Sequence, residues 1–104
     1  MSQQQRTVRE MVWDPGSEVL QLWFVDGPLP PSVNVQLDED GVYKVVDLDD
    51  AARILGIEIV NFRHYASLHH ELRPLLENLE RLPARGVILQ DPTGTAGLTE
   101  LLHA

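Results

Sequence analysis

Carboxylates and imidazoles are the side chains here best suited to chemistry, and their spacing decides how much of it they can do. Asp47 and Asp49 stand two apart on an extended segment, so they project to one face. Glu58 lies on the next expected strand. Three carboxylates around one point could hold Mg²⁺ or Ca²⁺ for hydrolysis. The spacing opposes this. With a four-residue turn at Asp49–Ala52, Leu48 pairs with Arg53 and Asp47 with Ile54, which leaves Glu58 ~13 Å away at ~3.3 Å per residue. A one-residue shift of register turns Glu58 to the opposite face. Aspartates also belong in turns for a simpler reason: their carboxylates accept the turn's backbone N–H groups.

The histidines are His64, His69, His70 and His103. A zinc pair on a helix needs spacing i, i+4. His64 and His69 are five apart, while His69 and His70 are adjacent and diverge by about 100°. They read as surface and helix-start residues. Asp91–Gly97 is a Gly/Thr-rich loop before an expected helix, a setting where backbone donors can hold phosphate. It lacks the lysine of a phosphate-binding loop and reads as a turn with Thr95 as the helix cap. Ser67 lies near His70 and Glu71, but no serine occupies a Gly-x-Ser-x-Gly elbow. With no cysteine, disulfides, thiolate metal sites and thiol nucleophiles are excluded. The residues therefore assign no catalytic, cofactor-binding or metal-binding position, and no cofactor is expected.

Composition narrows the class further. The 104 residues are 43% hydrophobic and 23% charged, an ordinary globular balance that predicts a single domain. The formal net charge of -8 repels a phosphate backbone, which weighs against nucleic-acid binding. No apolar run approaches the ~20 residues of a membrane span. Met1–Arg6 is polar, without a secretion signal's apolar centre, and reads as a flexible tail; a cytoplasmic protein is the expectation.

The elements that must position these residues are five strands and then a helical segment. Thr7–Trp13 and Val19–Val25 form a hairpin around the turn Asp14-Pro15-Gly16-Ser17. Asp26–Pro31 is a proline-stiffened loop, since three prolines remove three backbone donors. Val33, Val35 and Leu37 alternate with polar residues, and Asp38-Glu39-Asp40-Gly41 is the hairpin turn that follows. Val42–Leu48 and Arg53–Phe62 complete an antiparallel β-meander over residues 7–62. Tyr65, Leu68, Leu72, Leu75, Leu79 and Leu82 then recur at spacings of three and four, which predicts a helix from about His64 to Leu82. Pro74 within it must kink or restart the helix. Val87–Gln90 can add a short sixth strand, and Ala96–His103 a last helix. The predicted fold class is α+β: a five-stranded antiparallel β-meander followed by a kinked helix and a short strand/helix tail.

Several of these segments also carry a family pattern. They are Val12-Trp13-Asp14, Val19-Leu20-Gln21-Leu22-Trp23, Val45-Val46-Asp47-Leu48-Asp49 and, most specific, Gly56-Ile57-Glu58-Ile59. Residues 11–62 resemble the domain-of-unknown-function family 2283, whose members are small antiparallel β-meander proteins; residues 63–104 lie outside the resemblance. The resemblance implies the strand order of such a meander and no activity.

Function is best approached through apolar surface. Leu20, Leu22, Phe24, Leu55, Ile57 and Ile59 collect on one sheet face. Trp23, Val25, Tyr43, Val45, Val60 and Phe62 collect on the other. One helix of ~27 Å covers one face only, and large exposed apolar patches are unusual on monomers. The other face calls for a second copy, a partner, or the C-terminal segment with Val87, Ile88, Leu89, Leu98, Leu101 and Leu102 folded back as cover. Trp23, Tyr43, Val60 and Phe62 are therefore the candidate interface, with the leucine stripe as the other surface that could pair between chains. The leading reading is a non-enzymatic acidic interaction or regulatory module acting as a homodimer, with a basic protein as a possible partner. The alternative is a small metal-dependent hydrolase or metal-binding protein using Asp47, Asp49 and the nearby histidines.

Overall fold

The computed structural model describes residues 7–82 and 86–89. The chain forms β1 (Glu10–Asp14), β2 (Val19–Trp23), β3 (Ser32–Asp38), β4 (Val42–Asp47) and β5 (Asp50–Ile59). It continues with helix α1 (Phe62–Leu68), a 3₁₀ turn (His70–Leu72), helix α2 (Arg73–Glu80) and β6 (Val87–Leu89). The α+β class and the antiparallel strands are as the sequence predicts. The possible last helix at Ala96–His103 and the loop Asp91–Gly97 lie outside the described residues.

The sheet has the order β3-β4-β5-β2-β1-β6, every pair antiparallel. β3, β4 and β5 follow one another as a meander, and β1 and β2 form a hairpin. The two units join where β5 lies beside β2: Leu20 pairs with Ile59 and Leu22 with Ile57. A strictly sequential meander would put β3 there. The arrangement has a physical reason: β5 brings isoleucines to the middle of the sheet, while β3, whose alternate residues are Ser32, Asn34 and Gln36, takes the edge. The proline loop between β2 and β3 permits this, being no tight hairpin.

The period of two is plain in burial. Met11 and Trp13 on β1, and Leu20 and Leu22 on β2, are fully buried, while their neighbours along each strand are half-buried. With Val42, Ile57 and Ile59 they form the sheet side of the core, and Phe62, Tyr65, Ala66, Leu72, Leu75 and Leu79 form the helical side. Fully burying such a side chain contributes roughly 1.5–3 kcal/mol. Trp13 meets Phe62 edge to face, ring centroids 5.9 Å apart.

The helical segment divides before its proline. α1 ends at His69, whose backbone is extended, and α2 begins with Pro74 in its first turn. There proline's missing N–H costs nothing and its fixed φ suits the helix start. The leucine stripe thus packs on its own sheet; Leu68 alone among Leu68, Leu72, Leu75 and Leu79 is exposed.

Three local expectations need correction. β5 starts at Asp50, because the β4–β5 turn is the two residues Leu48-Asp49, with Asp47 opposite Asp50. Asp47 is thus not paired with Ile54, which faces Val46 across a register shift. Phe62 opens α1 instead of ending a strand: Glu18, left-handed at φ 59°, turns its carbonyl to the Phe62 N–H at 2.7 Å.

Candidate functional site

The aspartates serve the turns in which they stand. Asp14, Asp38, Asp47 and Asp50 each accept the backbone N–H two residues on, from Gly16, Asp40 and Asp49 at 2.9 Å and from Ala52 at 3.1 Å. Asp47 is the most enclosed of them, and its second carboxylate oxygen accepts from Arg53 Nη1 at 3.2 Å. Asp49 beside it is exposed. Glu58 pairs with Tyr43, four residues along β4 from Asp47, so the ~13 Å spacing at ~3.3 Å per residue holds in the observed register. Among the described residues, no group of three or more His, Asp or Glu side chains could hold a metal ion.

The imidazoles are likewise dispersed. His64 and His70 are exposed, and His69 stacks on Tyr65 with ring centroids 4.3 Å apart and lies 3.8 Å from Glu71. His103 falls outside the described residues. The Ser67 hydroxyl donates to the His64 carbonyl at 2.6 Å, a helix-internal bond that leaves His70 and Glu71 without a nucleophile.

The candidate interface residues separate. Trp23 and Tyr43 are half-buried on the sheet face away from the helices. Val60 stands past the end of β5, its N–H bonded to the Gly41 carbonyl at 2.9 Å. Phe62 has no exposed surface and belongs to the core beneath the helices. The physical reason is the turn at Asn61, left-handed at φ 52°, which ends strand alternation two residues before Arg63.

Around Trp23 and Tyr43 the structure assembles a site from strands far apart in sequence. Gln21, Glu58 and Tyr43 stand in one row across β2, β5 and β4. Trp23, Gly56, Val45 and Asn34 form the adjacent row, from β2 to β3. Gln21 Nε2 donates to one Glu58 oxygen at 2.8 Å and Asn34 Nδ2 to the other at 3.4 Å. Both donors are neutral amides, and among the described residues no cation pairs with Glu58. Glu58 thus holds its charge directly opposite Tyr43 and diagonal to Trp23. Toward the β1–β2 turn the face dips into an open hollow of about 360 Å³ lined by Val12, Val19, Gln21 and Glu58 among others.

Gln21 and Asn34 were not among the sequence candidates. The available signal was a polar residue interrupting each of two apolar strands, Gln21 in Val19–Trp23 and Glu58 in Ile57–Ile59; only the β2–β5 pairing tells that the two interruptions meet. Arg9, at the rim, is committed elsewhere: its hydrogen bond and charge attraction to Asp26, 2.6 Å away, raise the guanidinium pKa further. No family model, curated protein or solved structure matches the chain.

Proposed function

We propose that the chain is a non-enzymatic interaction module that acts as a homodimer and offers its open sheet face to a basic protein partner. The observation that carries the reading is the setting of Glu58. Its carboxylate is held in place by two amides, flanked by two part-exposed aromatic rings, and neutralised by neither. A partner covering this face must supply a cation, because a carboxylate sealed against apolar groups is costly. A guanidinium meets both demands: it pairs with the carboxylate and stacks on aromatic rings. The net charge of -8 adds long-range attraction for such a partner. Use of Asp14, Asp38, Asp47 and Asp50 as turn acceptors supports a binding role over hydrolysis. No helix among the described residues is long and apolar enough to cross a membrane.

Light scattering on the purified chain at tens of micromolar tests the homodimer. The expected mass is twice 11.7 kDa. A mass of 11.7 kDa across that range overturns that part of the reading.

A further inference from the structure

Among the described residues, five large apolar side chains are exposed: Leu29 at 42%, Val33 at 45%, Val35 at 40%, Leu48 at 62% and Leu68 at 50%. Four of the five gather at β3. Val33 and Val35 lie on it, Leu29 shortly precedes it, and the Leu48 N–H bonds the Pro31 carbonyl at 2.9 Å. Among the described residues, β3 is also an edge of the sheet. Edge strands are commonly blunted by charge, proline or brevity. Residues 32–37 contain neither charge nor proline, and the strand is seven residues long.

The phase of the β3–β4 ladder fixes which backbone groups the edge presents. In an antiparallel pair, hydrogen-bonded positions alternate with non-bonded ones. Pro31 bonds Leu48, so Val33 opposite Val46 and Val35 opposite Lys44 also turn their backbone groups toward β4. Ser32, Asn34 and Gln36 then turn theirs outward.

We infer that this edge pairs antiparallel with β3 of a second copy about a two-fold axis at Asn34, merging the two sheets. The inference rests on the homodimer reading and names its surface. With the axis there, Asn34 stands opposite Asn34 of the second copy, and Ser32 opposite Gln36. All three outward-facing residues fall at hydrogen-bonded positions. Val33 stands opposite Val35 at the intervening non-bonded positions, where side chains approach most closely, Cα atoms about 4.5 Å apart. Polar residues thus meet polar and valine meets valine, with no like charges opposed despite the acidic chain. An axis at Ser32 sets Asn34 against Pro30, which has no N–H to give. An axis at Gln36 runs into the register shift between Gln36 and Asp38. A one-residue slip, which moves the axis to between two residues, sets outward-facing residues against inward-facing ones and loses the bonds. An axis at Val33 or Val35 keeps the phase but sets Gln36 against Pro30 or Ser32 against Asp38, past the register shift.

The test combines light scattering with amide hydrogen exchange followed by NMR on the intact chain. In the wild type, the Ser32, Asn34 and Gln36 amides should exchange at least tenfold more slowly at high protein concentration than at low. The double variant Val33→Lys, Val35→Lys, both positions being exposed, should keep its melting transition and lose the dimer. Asn34→Pro should also be monomeric. Trp23→Glu, on the open face, should stay dimeric. A dimer whose three edge amides stay unprotected, or one that survives the double lysine variant and dissociates with Trp23→Glu, overturns edge pairing while leaving the homodimer. A monomeric wild type overturns the homodimer reading and this inference together.

Discussion

Trp23 fills the space that a side chain on Gly56 would need. A Cβ at position 56 would lie 2.5 Å from Trp23 Cε3 and 2.5 Å from the Leu22 carbonyl oxygen. The first contact could be relieved by moving an indole, but the second is backbone of a central strand. Gly56→Ala should therefore destabilise the protein by about 1–3 kcal/mol, the usual scale of overpacking. The shift of the urea midpoint measures it, and an unchanged midpoint would show the β2–β5 spacing to be looser than described.

Asp47 and Asp49 should part company under mutation. Asp47→Ala removes the acceptor for the Asp49 N–H and the partner of Arg53. A loss of about 1–3 kcal/mol is expected for a carboxylate in that role. Asp49→Ala should stay within about 0.5 kcal/mol, as for other exposed positions. Chelator should leave both midpoints alone. Equal losses, or a chelator effect, would point to a shared cation and against the turn role.

Glu18 links the first hairpin to the helices, through its carbonyl on Phe62 and its carboxylate, 2.7 Å from Arg63. Arg63 also reaches Glu80 at 3.3 Å. These ion pairs are substantially exposed, so Glu18→Gln should cost less than about 1 kcal/mol. The difference from wild type should shrink in molar salt, where charges are screened within about 3 Å. Thermal melts at low and high salt check both points; a salt-independent difference would mean that packing, not charge, is what the substitution removes.

The open face should respond to arginine. Titrating the protein with a short arginine-rich peptide should perturb the emission of Trp23, and Glu58→Gln should weaken binding about tenfold, or ~1.4 kcal/mol. Trp13, sealed in the core, should not respond, so Trp13→Phe keeps the signal and Trp23→Phe loses it. Undiminished affinity in Glu58→Gln would remove Glu58 from the contact.

What the sequence discloses follows range. The alternation at Leu20 and Leu22 and at Ile57 and Ile59 is local, and it sorts these residues onto one sheet face; which face the helices cover is not local. The spacing of Leu72, Leu75 and Leu79, and the restart at Pro74, are local as well. The choice of β5 as the partner of β2 is not, because it depends on which strands gain most by lying in the middle. Phe62 misleads for the same reason: its strand propensity is high, but the Glu18 carbonyl and the left-handed Asn61 set it into a helix. The cluster of Gln21, Asn34 and Glu58 becomes visible once that pairing is known, since no two of them share a strand.

The junction of β2 with β5 also bears on how quickly the chain finds its structure. The β1–β2 hairpin and the β3–β4–β5 unit each close over short turns, at small entropic cost. Leu22 and Ile57 meet only after a long intervening loop is closed, and such non-local contacts slow folding. The two units are therefore expected to form early and separately, with their meeting as the barrier. Val46→Ala, inside a piece already formed at the barrier, should mainly slow refolding in stopped-flow measurements, while Leu22→Ala, at a contact completed only as the pieces dock, should also hasten unfolding. A Val46→Ala variant that refolds at the wild-type rate and only unfolds faster would show that the unit is not formed before the barrier. Until the pieces meet, the isoleucines of β5 have no partner strand, and that interval is when the chain is most exposed to joining the wrong neighbour.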